Sequence, residues 1–529
     1  MTGSFDRVSV EASQAHSEDG YDADGEQKLV RRRSYYSVIL LTLMAAILQL
    51  AFLGSKSLWY DESMSEYRAG LPLGSLLDVV THGQMNMSLY YLLLHGWTSI
   101  VGSSEFMLRL PSVLFAAATV PLVYALGAEL IDRGTGLLAG LLVTVNATCI
   151  QYAQTARSYT MLMALSTLAS LFFVRSLKRH RPASFIGYVV SVTTSVYAHL
   201  FGVFALPSQW LSLFLFRPGK KTVLVLTAGM FTAGIIVVPV FFFAISGDHG
   251  NDAWVQRTSL RSIDDLFLML VGGFPGLTWI ALSLIGLYLL GIGLALLWTR
   301  RSDRPALGFL LVSTCIPIGL TIAVSFLKPL FVARYLLGVL PPFALLAAIG
   351  LRRLRPAFIL AMTFAIVTLA LAEDYTYYRA PSAEDWRGAV GFVALHTQPG
   401  DRMLIFPPDF GEAIGYYVSR LPKPETFPTR VVQTQISGGV AENPEQLLAD
   451  SDIGAGRRIW FAFPIWSPLH EMPLQLLLPK ERVVDELGFA GLRVLLFERV
   501  PRDLLGPGST EGKTVPEDPL SATTQRNPA

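Results

Sequence analysis

Long uncharged apolar runs recur along most of this chain, separated by short polar links. The first covers residues 36–54; others lie at about 110–130, 136–153, 158–175, 185–199, 201–216, 222–245, 276–298, 306–327, 331–350 and 356–372. Such lengths suit tilted or bent helices in a hydrocarbon core of about 30 Å. A further run, 85–101, is ambiguous, and the basic residues of the links decide it. They cluster at Lys178-Arg179-His180-Arg181, at Arg217 with Lys220-Lys221, at Arg300-Arg301 with Arg304, and at Arg352-Arg353 with Arg355. If 85–101 does not cross, all four clusters share the cytoplasmic side with Lys28, Arg31, Arg32 and Arg33; if it crosses as a simple helix, they lie outside, against the positive-inside bias. Eleven spans are therefore expected, with 57–108 as one long outer loop containing re-entrant or interfacial helices. Tyr90, Tyr91, His95 and Trp97 in that loop suit interface depth. The spans 185–199 and 201–216 share a tight outer turn at His199.

From Glu373 the pattern changes. Residues 383–396 and 409–419 read as helices, and 403–406, 459–465 and 492–497 as strands, with a turn at Pro399-Gly400-Asp401. That alternation predicts a small α/β domain outside the cytoplasm. No Gly-rich nucleotide-binding loop occurs in it. The expected division is a disordered cytoplasmic tail over 1–34, a transmembrane domain over 35–373, an extracytoplasmic α/β domain over 374–505 and a disordered tail over 506–529. A second outer loop, 246–275, carries Asp248, His249, Asp252, Arg257, Arg261, Asp264 and Asp265 and is placed to cap the outer face.

Composition agrees with a polytopic α-helical membrane protein: 529 residues, 52% hydrophobic and 16% charged. The net charge of +2 gives no support for a nucleic-acid partner. Cys149 and Cys315 both fall in apolar runs and read as packing residues. The first run follows some thirty polar residues and has no A-x-A-like cleavage site after it, which predicts a retained span. His82, His95 and His249 lack zinc-ligand spacing, so a divalent metal stays an open alternative without support from ligand spacing, and no other cofactor is assigned.

Sorting the charges by depth locates candidate chemistry. Mid-span positions are nearly free of Asp, Glu, Lys and Arg, unlike those of a proton-coupled transporter. The outer ends instead collect Asp61, Glu62, Glu105, Arg109, Arg157, His199, Lys328 and Arg334, with Tyr159 and Tyr335. Acids and arginines converging on one membrane face suit an enzyme that handles an anionic lipid headgroup. Each residue also has a plainer reading. Asp61 and Glu62 can mark the water boundary, Arg157 and Arg334 can be interface anchors beside tyrosines, His199 can be a packing residue, and Glu105 and Arg109 can pair along one helix.

The ordered set Leu58-Trp59-Tyr60-Asp61-Glu62, Leu89-Tyr90-Tyr91-Leu92-Leu93-Leu94-His95, Glu105-Phe106-Met107-Leu108-Arg109-Leu110-Pro111-Ser112, Gln154-Thr155-Ala156-Arg157-Ser158-Tyr159, Tyr197-Ala198-His199 and Arg334-Tyr335 resembles the bacterial GT-C glycosyltransferases. Within them it is similar to the branch of protein O-mannosyltransferases and lipid A aminoarabinose transferases. Glu384-Asp385-Trp386-Arg387 resembles the same proteins. Two departures are visible: Asn86-Met87-Ser88 stands where many relatives have His-Pro-Pro, and Gln154 and Arg157 stand near where some have a second acid. The resemblance implies a polyprenyl-phosphate sugar donor, a lipid, polysaccharide or protein acceptor, an extracytoplasmic site and an acid of the first outer loop as base. Asp61 is then the expected base. Arg157 and Arg334, with Lys328 behind them, are the expected partners of the departing phosphate, and Glu62, His199 and Tyr335 are expected to position the reactants. A rival from another class is a lipid-linked sugar transporter or flippase.

Overall fold

The computed structural model describes residues 32–83, 86–246, 258–274, 278–405, 410–432, 458–466 and 481–499. Residues 1–31 of the expected N-terminal tail, the whole C-terminal tail, and Asp248, His249, Asp252 and Arg257 of the second outer loop lie outside the described residues.

The chain is a multi-pass helical membrane protein. Among the described residues, eight helices are long and apolar enough to cross a membrane: Arg32–Leu50, Glu105–Leu130, Tyr159–Arg179, Lys220–Phe242, Trp279–Trp298, Arg301–Ser325, Ala333–Leu351 and Pro356–Arg379. The pair Arg133–Thr144 and Ala147–Ala153, bent by 61°, has the length and apolarity of a broken span or a re-entrant loop. Its break has a local cause. Asn146 caps the second half by accepting the Cys149 N–H at 3.0 Å and donates to the Leu270 carbonyl at 3.1 Å. The remaining two expected spans are helices that fall short. Pro182–Ala198 has 17 residues, or about 26 Å at the α-helical rise, and Leu200–Phe216 starts with a 3₁₀ turn. Of the eleven expected spans, eight correspond to full-length apolar helices among the described residues, one to the bent pair and two to shorter helices.

The short pair meets at His199, which is extended at φ −162°. Gly202 allows the turn: a Cβ there meets the Ser195 carbonyl at 2.6 Å. Between the first span and Glu105–Leu130 lie the helices Tyr60–Gly70, Leu73–Asp78 and Ser88–Val101. The last has 14 residues, about 21 Å long, too short for the hydrocarbon core.

Charged links gather at one end of the bundle. Arg175 and Arg179 pair with Glu129, Arg352 with Asp132, and Arg353 with Asp303. Because Arg179 lies at that end of its span, Tyr159 at the start of the same helix lies at the other. The span Ala333–Leu351 is the most enclosed, opening with 3₁₀ turns over Ala333–Val339.

The last span runs to Arg379, so the change of composition at Glu373 does not mark its end. Glu373 and Asp374 are buried on this helix, and Glu373 accepts the Phe274 N–H at 2.9 Å. Beyond it, β1 (Arg402–Ile405), β2 (Thr429–Val432), β3 (Arg458–Pro464), β4 (Glu481–Phe489) and β5 (Leu492–Arg499) form one mixed sheet in the order β2-β1-β3-β5-β4. β1 is parallel to β2 and β3, whereas β5 is antiparallel to β3 and β4. The helices Trp386–His396 and Phe410–Val418 complete this α/β unit, with Trp386, Trp460, Phe461 and Phe497 fully buried. The sequence pattern predicts β1, β3 and β5 but not β2 and β4, which are the two edges. Edge strands face water, carry charge and lack the apolar run that marks an inner strand.

Candidate active site

Trp59 leads into the helix Tyr60–Gly70 in an extended conformation with no side-chain cap, so the first-turn amides need partners from elsewhere. Glu384, at the start of the α/β unit, supplies one: its Oε2 accepts the Tyr60 N–H at 2.9 Å. Asp61 and Glu62 follow in that first turn, where the helix dipole favours acids. Successive helical positions point about 100° apart, and the two carboxylates have different surroundings.

Glu62 is a buried tie. Arg109 grips it in bidentate fashion, Nε to Oε1 at 2.8 Å and Nη2 to Oε2 at 2.7 Å, and the Ala156 N–H donates to Oε1 at 2.8 Å. Arg109 also donates to the carbonyls of Leu53, Lys56 and Ser57. Arg109 therefore pairs across the fold with Glu62, not along its helix with Glu105. Glu105 reaches the α/β unit instead, accepting from Arg387 Nη2 at 2.6 Å and the Tyr417 hydroxyl at 2.8 Å. Neither Glu105 nor Arg109 reaches the group around Asp61; they hold the loop that carries it.

Asp61 faces two guanidiniums. Its Oδ2 lies 3.6 Å from Arg334 Nη2 and 3.9 Å from Arg157 Nη2, and it is buried without a hydrogen-bond partner. Arg157 reaches the spot from the loop after the bent pair, and Arg334 from the 3₁₀ turns that open the enclosed span. Arg334 Nε donates to the Tyr159 hydroxyl at 3.1 Å and its guanidinium lies 5.6 Å from the Trp59 ring centre. Tyr159 stacks on Tyr335 at 6.2 Å, and His199 abuts both rings. The His199 Nδ1 accepts the Phe201 N–H, while its Nε2 has no hydrogen-bond partner. Asn86, at the first departure from the family pattern, accepts the Leu200 N–H at 3.0 Å and secures the same turn. Lys328 is half-buried in the link that precedes Arg334. Among the described residues, no three His, Cys, Asp or Glu side chains are grouped to hold a metal ion.

One residue joins this group without having been singled out from the sequence. Arg68 lies seven positions after Asp61, on the same helical face, and donates to the Tyr91 hydroxyl at 2.7 Å; Arg157 donates to the same oxygen at 3.3 Å. Burial alone pushes the Tyr91 phenol up, but Arg68 and Arg157 together bring it below its ordinary value. The i, i+7 spacing from Asp61 was the available signal for Arg68.

Lys56 anchors the loop before this helix. Its Nζ donates to the Tyr377 carbonyl at 2.7 Å and lies 3.7 Å from that ring's centre. Burial, and then the charge of Arg109, push its ammonium down from 10.5 to about 8. The folded protein thus binds this proton less well than the unfolded chain. Stability is expected to rise with pH between about 8 and 10.5. Lys56→Met should flatten that part of the profile relative to wild type, measured by thermal unfolding in detergent across pH; an unchanged slope contradicts it.

The short helices between the first span and Glu105–Leu130, with an acid in the first turn of one of them facing arginines from later links, agree with the resemblance drawn from the sequence. Comparison with known proteins agrees. Residues 88–245 match the model of a family described as dolichyl-phosphate-mannose-protein mannosyltransferase. ArnT from Cupriavidus metallidurans in the apo state aligns at TM-score 0.56 and 14% identity, over 87% of this chain and 97% of that one. The same protein bound to undecaprenyl phosphate gives TM-score 0.55 at 13% identity, with the same shares covered. The oligosaccharyltransferase AglB from Archaeoglobus fulgidus, in complex with an inhibitory peptide and a dolichol-phosphate, gives TM-score 0.53 at 12% identity, over 89% of this chain and 75% of that one. Comparison with curated proteins gives no match. The resemblance drawn from the sequence motifs is borne out: the chain has the GT-C fold of the mannosyltransferase and ArnT type.

Proposed function

We propose that this protein is a glycosyltransferase of the bacterial inner membrane that moves a sugar from a polyprenyl-phosphate donor to a hydroxyl of a lipid, polysaccharide or protein acceptor on the extracytoplasmic face. The observation that carries this reading is Asp61 Oδ2, buried without a hydrogen bond between Arg334 and Arg157. A phosphate entering the site can accept charge-assisted hydrogen bonds from both guanidiniums. Asp61, relieved of their charge, accepts the proton of the acceptor hydroxyl as its oxygen attacks the anomeric carbon. The bond from that carbon to the phosphate oxygen breaks on the opposite face, so the configuration inverts. Charge growing on the departing phosphate meets the two guanidiniums. Phosphate leaves without a proton, so one carboxylate suffices where glycoside hydrolysis uses two.

A narrow cleft with a cavity volume of about 50 Å³, lined by Tyr335, Phe201, Leu162, Leu336 and Phe309, adjoins the site at Tyr335, and we assign it to the first isoprene unit of the lipid tail. Support for a lipid-linked donor comes from the undecaprenyl phosphate of ArnT and the dolichol-phosphate of AglB in structures of the same fold. Removing one of two charged donors to a phosphate costs about 1.5–3 kcal/mol. Arg334→Ala is therefore expected to raise the KM for donor by roughly 10- to 100-fold. Initial rates across donor concentration test this, and an unchanged KM removes Arg334 from the phosphate site.

A further inference from the structure

We infer that Glu384, a residue of the α/β unit, is a positioning residue for Asp61 and that the outer unit is therefore part of the catalytic machinery, beyond any role in gripping acceptor. This rests on the assignment of Asp61 as base. The Glu384 carboxylate is 1% exposed, and each of its hydrogen bonds joins a different element. Oε2 accepts the Tyr60 N–H at 2.9 Å and the Trp386 indole N–H at 2.7 Å; Oε1 accepts the Trp466 indole N–H at 2.8 Å.

The Tyr60 amide is the first of the helix that carries Asp61, and Trp59 offers it no local cap. A carboxylate brought from more than three hundred positions away does the work of an N-cap, with its charge at the positive end of the helix dipole. The aromatic neighbours fix its position. Phe410 packs against Tyr60 at 5.5 Å, Trp386 at 5.9 Å and Trp466 at 6.2 Å, so the carboxylate sits behind a rigid aromatic wall. Parallel ties hold the same loop: the Leu58 N–H donates to the Tyr417 hydroxyl at 2.7 Å and the Ser57 N–H to the Ser382 hydroxyl at 2.9 Å. Asp61 is one residue from Tyr60, so any tilt of the first turn moves its carboxylate relative to Arg334 and Arg157.

Glu384→Gln is the informative variant. It keeps shape and volume, but its amide NH₂ must face either the Trp466 indole or the Tyr60 and Trp386 donors, so at least one N–H loses its acceptor. Displacement of a reacting group by about 1 Å costs roughly 100-fold in rate. Glu384→Gln in the full-length protein, reconstituted in lipid nanodiscs, is therefore expected to lose on the order of 100-fold in kcat with the acceptor KM unchanged. Trp466→Phe and Trp386→Phe, each removing one donor, should lose less. Hydrogen exchange of the amides of residues 60–63 is read on the same samples and needs no substrate. Faster exchange in Glu384→Gln, together with a kcat defect, supports the positioning role. Unchanged exchange overturns it, as does a rise in acceptor KM with kcat intact, which would make Glu384 an acceptor contact. Faster exchange in a protein whose wild type transfers no sugar upholds the cap and removes the glycosyltransferase reading instead.

Discussion

Asp61→Asn is expected to lower the rate of sugar transfer by roughly 10²- to 10⁴-fold, the range of a proton transfer made by a positioned base. The amide matches the carboxylate in size, and Oδ2 of Asp61 accepts no hydrogen bond that the substitution would break. The fold should therefore be retained. The substitution also leaves Arg157 and Arg334 without the carboxylate that faces them. Attraction for the phosphate of the donor should then be equal or greater, so the loss falls in kcat while the donor KM stays level or drops. Initial rates with purified protein, read beside the thermal midpoint of each variant, check both halves. Transfer within tenfold of wild type removes Asp61 as the base.

Arg109→Met should cost stability more than any substitution among the arginines that face Asp61. Arg109 and Glu62 are 2% and 1% exposed, and their pair joins the helix Tyr60–Gly70, the span Glu105–Leu130 and, through Ala156, the loop that delivers Arg157. Removing one partner of such a pair strands a buried charge, at a cost of about 3–5 kcal/mol. Three main-chain carbonyls lose their donor as well. The expected result is a lower thermal midpoint in detergent, partly restored in Arg109→Met combined with Glu62→Leu, which removes the stranded charge. An unchanged midpoint for Arg109→Met contradicts the structural role given to the pair.

How legible this was in sequence depended on what each residue had to meet. The spans were readable because hydrocarbon imposes length and apolarity on each one separately. The short helices between the first span and Glu105–Leu130 were readable because the basic clusters argue against a simple crossing there. Asp61, Arg157, Tyr159, His199, Arg334 and Tyr335 do come together, each lying near the end of an apolar run. Their partnerships were less readable. Glu105 and Arg109 have the spacing of a helical pair, but Glu62 and Arg387 offer them better geometry across the fold. Glu373 and Asp374 look like a water boundary, yet the helix carries them on to Arg379. The inward role of Glu384 had no local signal, since the amide it caps lies far away in sequence.

The central claim, transfer from a lipid-linked donor, is tested most directly by placing purified wild-type protein in vesicles with polyprenyl phosphates bearing different radiolabelled sugars and a crude envelope acceptor extract. The account predicts that label leaves one class of lipid for a new glycoconjugate, that free polyprenyl phosphate accumulates in equal amount, and that the product has the inverted anomeric configuration. Movement of intact labelled lipid between leaflets, with no sugar released from any donor, would contradict it and make the protein a flippase.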